Sequence, residues 1–290
     1  MIEFAGKVAV ITGAASGFGL AFARLGASLG MRLVLADIAQ SPLEAAARSL
    51  AQSGVELIAE QVDVSRAEEV QRLADLAFAR FGQVNLLFNN AGVAPVGLVW
   101  EHSPADWNWV LGVNVLGVVN GIRSFVPRMI EQGDDSHVVN TASVAGLISP
   151  QTMGAYNVSK HAVVALSETL FHDLRTVGAR LGVTVLCPAF VPTGIHQSER
   201  SRPQALRNER EPTASMRTAR AAMSKAVESG RLSADEVARL SFEAIRERRF
   251  YLLTHPGILG AVKTRFDDIL DQRLPTDPFA HKPRAAPFKA

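Results

Sequence analysis

The sequence predicts an α/β fold: a single-domain, doubly wound parallel sheet with helices on both faces. Three observations carry that expectation. Short apolar runs alternate with longer stretches of helical periodicity. Most of the runs are continuous rather than alternating, as in strands covered on both faces. No internal repeat or long linker divides the 290 residues, a length that suits one large α/β domain. The expected domain spans residues 1–274, with a Pro-rich tail at 275–290.

The first run, KVAVIT (7–12), reads as a strand. Gly13, Gly17 and Gly19 follow in a G-x-x-x-G-x-G spacing, where a helix with the apolar stripe Phe18, Phe22, Leu25 and Leu29 begins. Such glycines let backbone N–H groups approach a pyrophosphate at a helix N-terminus, although a glycine cluster alone is equally an ordinary turn. The second strand, RLVLAD (32–37), ends on Asp37. There a carboxylate either accepts hydrogen bonds from the hydroxyls of an adenosine ribose or caps a turn. Asp37 would repel a 2′-phosphate, and the next residue is Ile38 rather than an arginine, so the site favours NAD over NADP. ELIAEQVDV (56–64) reads as the third strand, and Val70, Leu73, Ala77 and Phe81 mark the helix after it. VNLLFN (84–89), HVVNTAS (137–143), GVTVLCP (182–188) and FYLLT (250–254) complete seven strands. Strand, helix and strand repeated six times imply right-handed crossovers.

Between the fifth and sixth strands, AYNVSKHAVVAL (155–166) opens a helix. Tyr156 and Lys160 stand four residues apart on one face of it. By spacing alone, the pair is either a structural contact or a phenol whose proton is made available. Two segments break the rhythm. Residues 193–231 hold seven arginines, one lysine and four glutamates with no strand pattern. They read as a solvated helix face or as a lid over a substrate. The tail carries Pro275, Pro278, Pro283 and Pro287, which rules out a regular helix or inner strand.

The bulk numbers narrow the classes. Hydrophobic residues make up 48% and charged residues 20%, with a formal net charge of +2. That is ordinary for a globular protein and implies no strong attraction to polyanions. Nucleic-acid binding through 193–231 would also need interleaved aromatics, which the segment lacks. A single cysteine, Cys187, excludes an internal disulfide and fits a reducing compartment. The seven histidines show no metal-ligand spacing, so no metal is expected. No signal-length apolar run opens the chain, and the apolar stretch VLGVNVLGVVNGI is interrupted by Asn114 and several glycines. The reading is a cytoplasmic protein with no membrane partner. Trp100, Trp107 and Trp109 cluster near a helix start and read as core or contact residues, or as one border of a cleft.

Taken together and in order, the motifs resemble those of the short-chain dehydrogenase/reductase family over about residues 5–255. TGAASGFG (12–19) matches its cofactor turn, Asp63 and Val64 its adenine position, and NNAG (89–92) the turn after its fourth strand. Asn114, Ser143, and the Tyr156 and Lys160 of Y-x-x-x-K match its catalytic residues. CPAFVPT (187–193) resembles the segment beside the nicotinamide, with Ala189 where glycine is usual. Phe18 stands where isoleucine is common.

The resemblance implies a Rossmann-like fold, NAD as cofactor, and a homodimer or homotetramer built on the helices before Met129 and after Tyr156. It implies cofactor contacts at Gly13, Ser16, Gly17, Phe18, Gly19, Asp37, Ile38, Asp63, Val64, Asn90, Ala91, Gly92, Pro188, Val191 and Thr193, besides Tyr156 and Lys160. Tyr156 would be the general acid/base, its pKa lowered from about 10 by the Lys160 ammonium. Lys160 would also bind the nicotinamide ribose. Ser143 would polarise the substrate oxygen, and Asn114 would hold a water behind Lys160. The long C-terminal part resembles members acting on bulky, often aromatic, secondary alcohols or their ketones. A non-catalytic NAD sensor or scaffold on the same fold is the alternative.

Overall fold

The seven apolar runs form β1 (Val8–Thr12), β2 (Arg32–Asp37), β3 (Leu57–Gln61), β4 (Leu86–Asn89), β5 (Ser136–Thr141), β6 (Leu181–Cys187) and β7 (Tyr251–Leu253). In the computed structural model, residues 3–280 are described. The strands pair in parallel throughout, in the order β3-β2-β1-β4-β5-β6-β7. The third strand is shorter than its apolar run. The Asp63 N–H donates to the Glu69 carboxylate at 2.8 Å, which takes the backbone out of the ladder two residues after Gln61.

Continuous apolar strands cover both faces because successive side chains point to opposite sides. Ile11, Leu33, Leu35, Leu86 and Phe88 meet Phe22 of α1 (Gly17–Ser28), Leu43 of α2 (Gln40–Ala51) and Phe242 of α8 (Ala234–Glu247). Val10, Val34, Leu87 and Val138 meet Leu73 and Ala77 of α3 (Ala67–Phe81), Phe125 of α5 (Gly117–Glu131) and Leu170 of α6 (Gly154–Thr176). The stripe Val70, Leu73, Ala77 and Phe81 is the buried face of α3, whereas of the α1 stripe only Phe22 is fully buried and Phe18, Leu25 and Leu29 are partly buried against the core.

Pro104–Glu131 runs as one helix through α4 (Pro104–Leu111), a π-helical turn at Gly112–Leu116, and α5. It is long and apolar enough to cross a membrane by length and composition, but 61% of its apolar window is buried in this fold. The segment 193–231 folds as 3₁₀ turns at Gly194–Ser201 and Gln204–Leu206 followed by α7 (Ala214–Glu228). Arg217, Arg220 and Lys225 lie on the exposed face of α7, while Met216, Ala219, Met223 and Val227 are buried. A helix α9 (Leu259–Leu270) follows β7. Of the Pro-rich stretch 275–290, residues 281–290 lie outside the described residues.

Candidate active site

A cavity of about 820 Å³ opens at the C-terminal ends of β1 and β4, where the strand order reverses. That is where open α/β sheets bind ligands, and the volume falls in the upper range of ligand pockets. Every residue expected in the site lines this cavity except Gly19 and Asn114. Gly19 sits beneath the glycine turn. A Cβ there would lie 2.1 Å from the Gly13 carbonyl oxygen, so its role is close packing of the turn on the helix.

One half of the cavity is built for a dinucleotide. Gly13 and Gly17 take positive φ values of 67° and 54°, open to glycine at little cost. The Ser16 side chain at the N-cap of α1 accepts no N–H, and the first turn holds no acidic residue. The leading N–H groups and the positive end of the helix dipole thus stay available to an anion. Asp37 links the glycine turn to the end of β2. Its Oδ2 accepts the Ala15 N–H at 3.0 Å, and its Oδ1 accepts the Ala39 N–H at 2.9 Å. The turn role and a ribose role are compatible, because each carboxylate oxygen keeps a further lone pair. Asp63 accepts the Ser65 N–H and hydroxyl at 3.0 and 2.7 Å and lines the cavity next to Val64. These residues fit an adenine dinucleotide.

Two threonines that the sequence reading did not single out join the strand ends. Thr12 Oγ1 accepts the N–H groups of Asn90 and Ala91 at 2.9 and 3.1 Å. The Asn90 amide donates to the Thr12 carbonyl at 3.0 Å and accepts from Thr141 at 3.3 Å. Thr12 stands inside the motif that matched the cofactor turn. Nothing in the pattern marked Thr141.

The other half gathers the titratable side chains. Ser143 leaves the end of β5, and its hydroxyl donates to the Pro188 carbonyl at 3.3 Å while accepting the Ala145 N–H at 3.1 Å. The first turns of α6 bring Tyr156 and Lys160 to it. Tyr156, Ser143 and Lys160 all line the cavity, and Ser143 pulls the phenol's pKa downward. Lys160 Nζ donates to the Thr141 carbonyl at 2.8 Å and lies 5.6 Å from the Tyr156 ring centre. Asn114 projects from the π-helical turn, a device common at functional sites. Its amide spans the Val93 backbone (2.8 and 2.9 Å) and the Ser159 hydroxyl (2.9 Å), holding the helix to the loop after β4.

The electrostatics correct one expectation. Lys160 does not lower the phenol in this structure. Burial pushes Tyr156 up to about 12, against a partial downward pull from Ser143, and pushes Lys160 down to about 8. Both groups are taken from water, and desolvation disfavours each charged form. The phenol is held protonated. Burial also raises Cys187 to about 12, so its thiol behaves as a small apolar group. Among the tryptophans, Trp109 is both core and cavity wall, whereas Trp100 is 78% exposed. Among the described residues, no group of three or more His, Cys, Asp or Glu side chains is placed to hold a metal ion.

Known proteins agree with this architecture. A model of the family described as short chain dehydrogenase matches residues 7–204. The chain belongs to the short-chain dehydrogenase/reductase family. It is an oxidoreductase of that family by every comparison. A crystal structure of a short-chain dehydrogenase/reductase from Burkholderia phymatum in complex with NAD is similar to it, with 59% identity and a TM-score of 0.95. The match covers 96% of this chain and 99% of that one. The CLA biosynthesis dehydrogenase/reductase of Lactiplantibacillus plantarum is 32% identical over 95% of this chain and 97% of its own length. The 1-deoxy-11-beta-hydroxypentalenate dehydrogenase of Streptomyces exfoliatus is 36% identical over 91% of this chain and 88% of its own length.

Proposed function

We propose that the protein is an NAD-dependent dehydrogenase or ketoreductase acting on a bulky, largely apolar secondary alcohol or its ketone. The observation that carries the proposal is that Ser143, Tyr156 and the buried Lys160 converge on one cavity at the switch point of the sheet. NAD, when bound, supplies the hydride acceptor or donor. The uncapped start of α1 and the Asp37 carboxylate suit it, and the Burkholderia phymatum relative binds it.

The chain's own residues then handle the proton. Ser143 orients the substrate oxygen toward the phenol. Tyr156, protonated over the working range, donates to a ketone oxygen in reduction and receives the proton in oxidation. Lys160 places a positive charge beside that transfer and reaches the nicotinamide ribose. Asn114 fixes the wall behind Lys160 and positions a water there for proton exchange with solvent. A bulky apolar substrate suits a wall that includes Val93, Met153, Ile195, Leu206, Met223 and Val227. A binding-only role has no feature that favours it, because such a site needs no phenol, serine and buried lysine gathered on one cavity. Assembly into a homodimer or homotetramer belongs to the same proposal. Leu116, Ile130 and Val158, all exposed on the helix pair expected to meet across a two-fold axis, support it.

The direct test is Tyr156→Phe, assayed by reduced-nicotinamide absorbance on a panel of secondary alcohols and ketones. NAD binding is expected to stay within a few-fold of wild type while turnover falls by ~100-fold or more, the size of a lost general acid/base. Full activity in the variant rejects the mechanism.

A further inference from the structure

The cavity wall contains an arginine that the proposed proton chemistry does not use. Arg202 is 4% exposed and lines the cavity with Trp109. Its nitrogens have unequal partners. Nη1 pairs with Asp106 at 2.7 Å and touches Glu199 at 3.4 Å. Nε donates to the Leu206 carbonyl at 2.7 Å. The guanidinium carbon lies 4.8 Å from the Trp109 ring centre. Nη2 is buried and has no hydrogen-bond partner among the described residues.

The arginine is held from behind. Asp106 is 3% exposed. It also accepts the Ser103 N–H at 2.8 Å, the Ser103 hydroxyl at 3.1 Å and the Asn208 amide at 2.9 Å. A carboxylate with this many donors does not swing, and it fixes the guanidinium against Trp109. The arrangement therefore spends buried charges and four hydrogen bonds to hold the two N–H donors of Nη2 without a partner. Unpaired buried donors are costly and uncommon in folded proteins.

We infer that Arg202 is a substrate-recognition residue whose Nη2 donates to a second, neutral oxygen on the alcohol or ketone: an ether, carbonyl or phenol. The inference rests on the proposed dehydrogenase reading and adds a specificity element to it. The oxygen is neutral because Asp106 already matches the arginine's charge and Glu199 stands beside it. A substrate carboxylate at Nη2 would add a further negative charge beside Asp106 and Glu199. The rest of the molecule is an apolar or aromatic body, in keeping with the Trp109, Leu206 and Met223 walls.

Matched substrates test this. The pairs are 1-(4-methoxyphenyl)ethanol against 1-(4-ethylphenyl)ethanol, and their biphenyl counterparts substituted at the far ring. Each is followed as NADH formation with wild type, Arg202→Lys, Arg202→Met and the double variant Arg202→Met with Asp106→Asn. The double variant avoids an unpaired buried carboxylate and so guards against simple misfolding. For at least one pair, wild type is expected to favour the oxygenated member by roughly 10-fold or more in kcat/KM, the scale of one hydrogen bond to a charged group. Both Met variants should bring that ratio close to one while NAD affinity stays within a few-fold. A purely structural Asp106–Arg202 pair would lower both members alike and leave their ratio unchanged. That result, or a wild type indifferent to the oxygen, overturns the inference and leaves the dehydrogenase reading intact. Preference for 4-(1-hydroxyethyl)benzoate over the methoxy ether overturns the neutral-acceptor assignment. Failure to oxidise any member despite NAD binding removes the dehydrogenase reading and this inference with it.

Discussion

Lys160 shows how burial and function oppose each other at one residue. Its pKa falls from 10.5 to about 8 because burial disfavours the ammonium. Between those values the unfolded chain binds more protons than the folded one, so stability rises with pH across that window. Below about pH 8 the whole cost is present. Lys160→Met removes it. The ligand-free variant is expected to be more stable than wild type at pH 7, with an advantage that shrinks as pH rises from 8 toward 10.5. The ceiling is about 3 kcal/mol, the equivalent of that shift, less about 1 kcal/mol for the hydrogen bond to Thr141. Urea melts at pH 7 and pH 10 measure it. A difference that does not change with pH means that Lys160 keeps its ordinary titration. Asp37 carries a second residue-scale prediction. Among the described residues no cation is paired with it to meet a 2′-phosphate, so a preference of roughly 100-fold for NAD over NADP in kcat/KM is expected. Asp37→Ala with Ile38→Arg should move the preference toward NADP. The same variant should weaken both cofactors in absolute terms, since Asp37 also holds the Ala15 and Ala39 N–H groups. A wild type that uses both cofactors equally would mean that Asp37 does not face the ribose.

At the scale of elements, the site depends on how closely two of them approach. The short turn Val144–Gly146, just after Ser143, rests on α6 at Gly146. A Cβ there would lie 2.5 Å from the Lys160 carbonyl oxygen and 2.9 Å from its carbon. Gly146→Ala therefore pushes the turn that carries Ser143 away from the helix that carries Tyr156. Overpacking of this kind costs about 1–3 kcal/mol, and a misplacement near 1 Å can cost about 100-fold in rate. The expected outcome is a lower melting temperature and a large fall in kcat, with every titratable residue still present. Gly257→Ala is the control, because nothing lies within 4 Å of its Cβ position. Equal behaviour of the two variants would mean that the helix and the turn have room to separate without harm.

For the whole molecule, the open matter is how the segment 193–231 behaves over the cavity. Thr193, Gly194, Ile195, Ser198 and Arg202 form one wall of it. The inner face of α7 packs with Tyr156 in a small cluster of its own, apart from the two large cores. Weakly held segments over a site are the ones that open and close. Residues 193–231 are expected to exchange amide hydrogens quickly without ligand and slowly when NAD and a ketone analogue are both bound. Within the segment, α7 should be the slower part because four of its side chains are buried. Exchange that is the same in both states would make the segment a fixed wall.

Much of this architecture was legible in the sequence because burial on both faces of a sheet leaves continuous apolar runs. The covering helices leave stripes such as Val70, Leu73, Ala77 and Phe81. The glycine turn, Asp37 and the Tyr156–Lys160 spacing were legible because each depends on local backbone geometry. Other features depended on contacts between distant parts of the chain. Nothing local marks Thr141, which becomes the acceptor for Lys160 only when β5 and α6 meet. Nor could the sequence say which of seven arginines in 193–231 is buried against Asp106 and Trp109. The sign of the phenol's shift was the clearest case. From spacing, a lysine four residues away lowers a tyrosine. In the folded protein the desolvation of both groups outweighs that attraction. Charge pairing can be inferred from residue types, but the water lost around a pair is set by everything packed against it, and only the tertiary structure decides that.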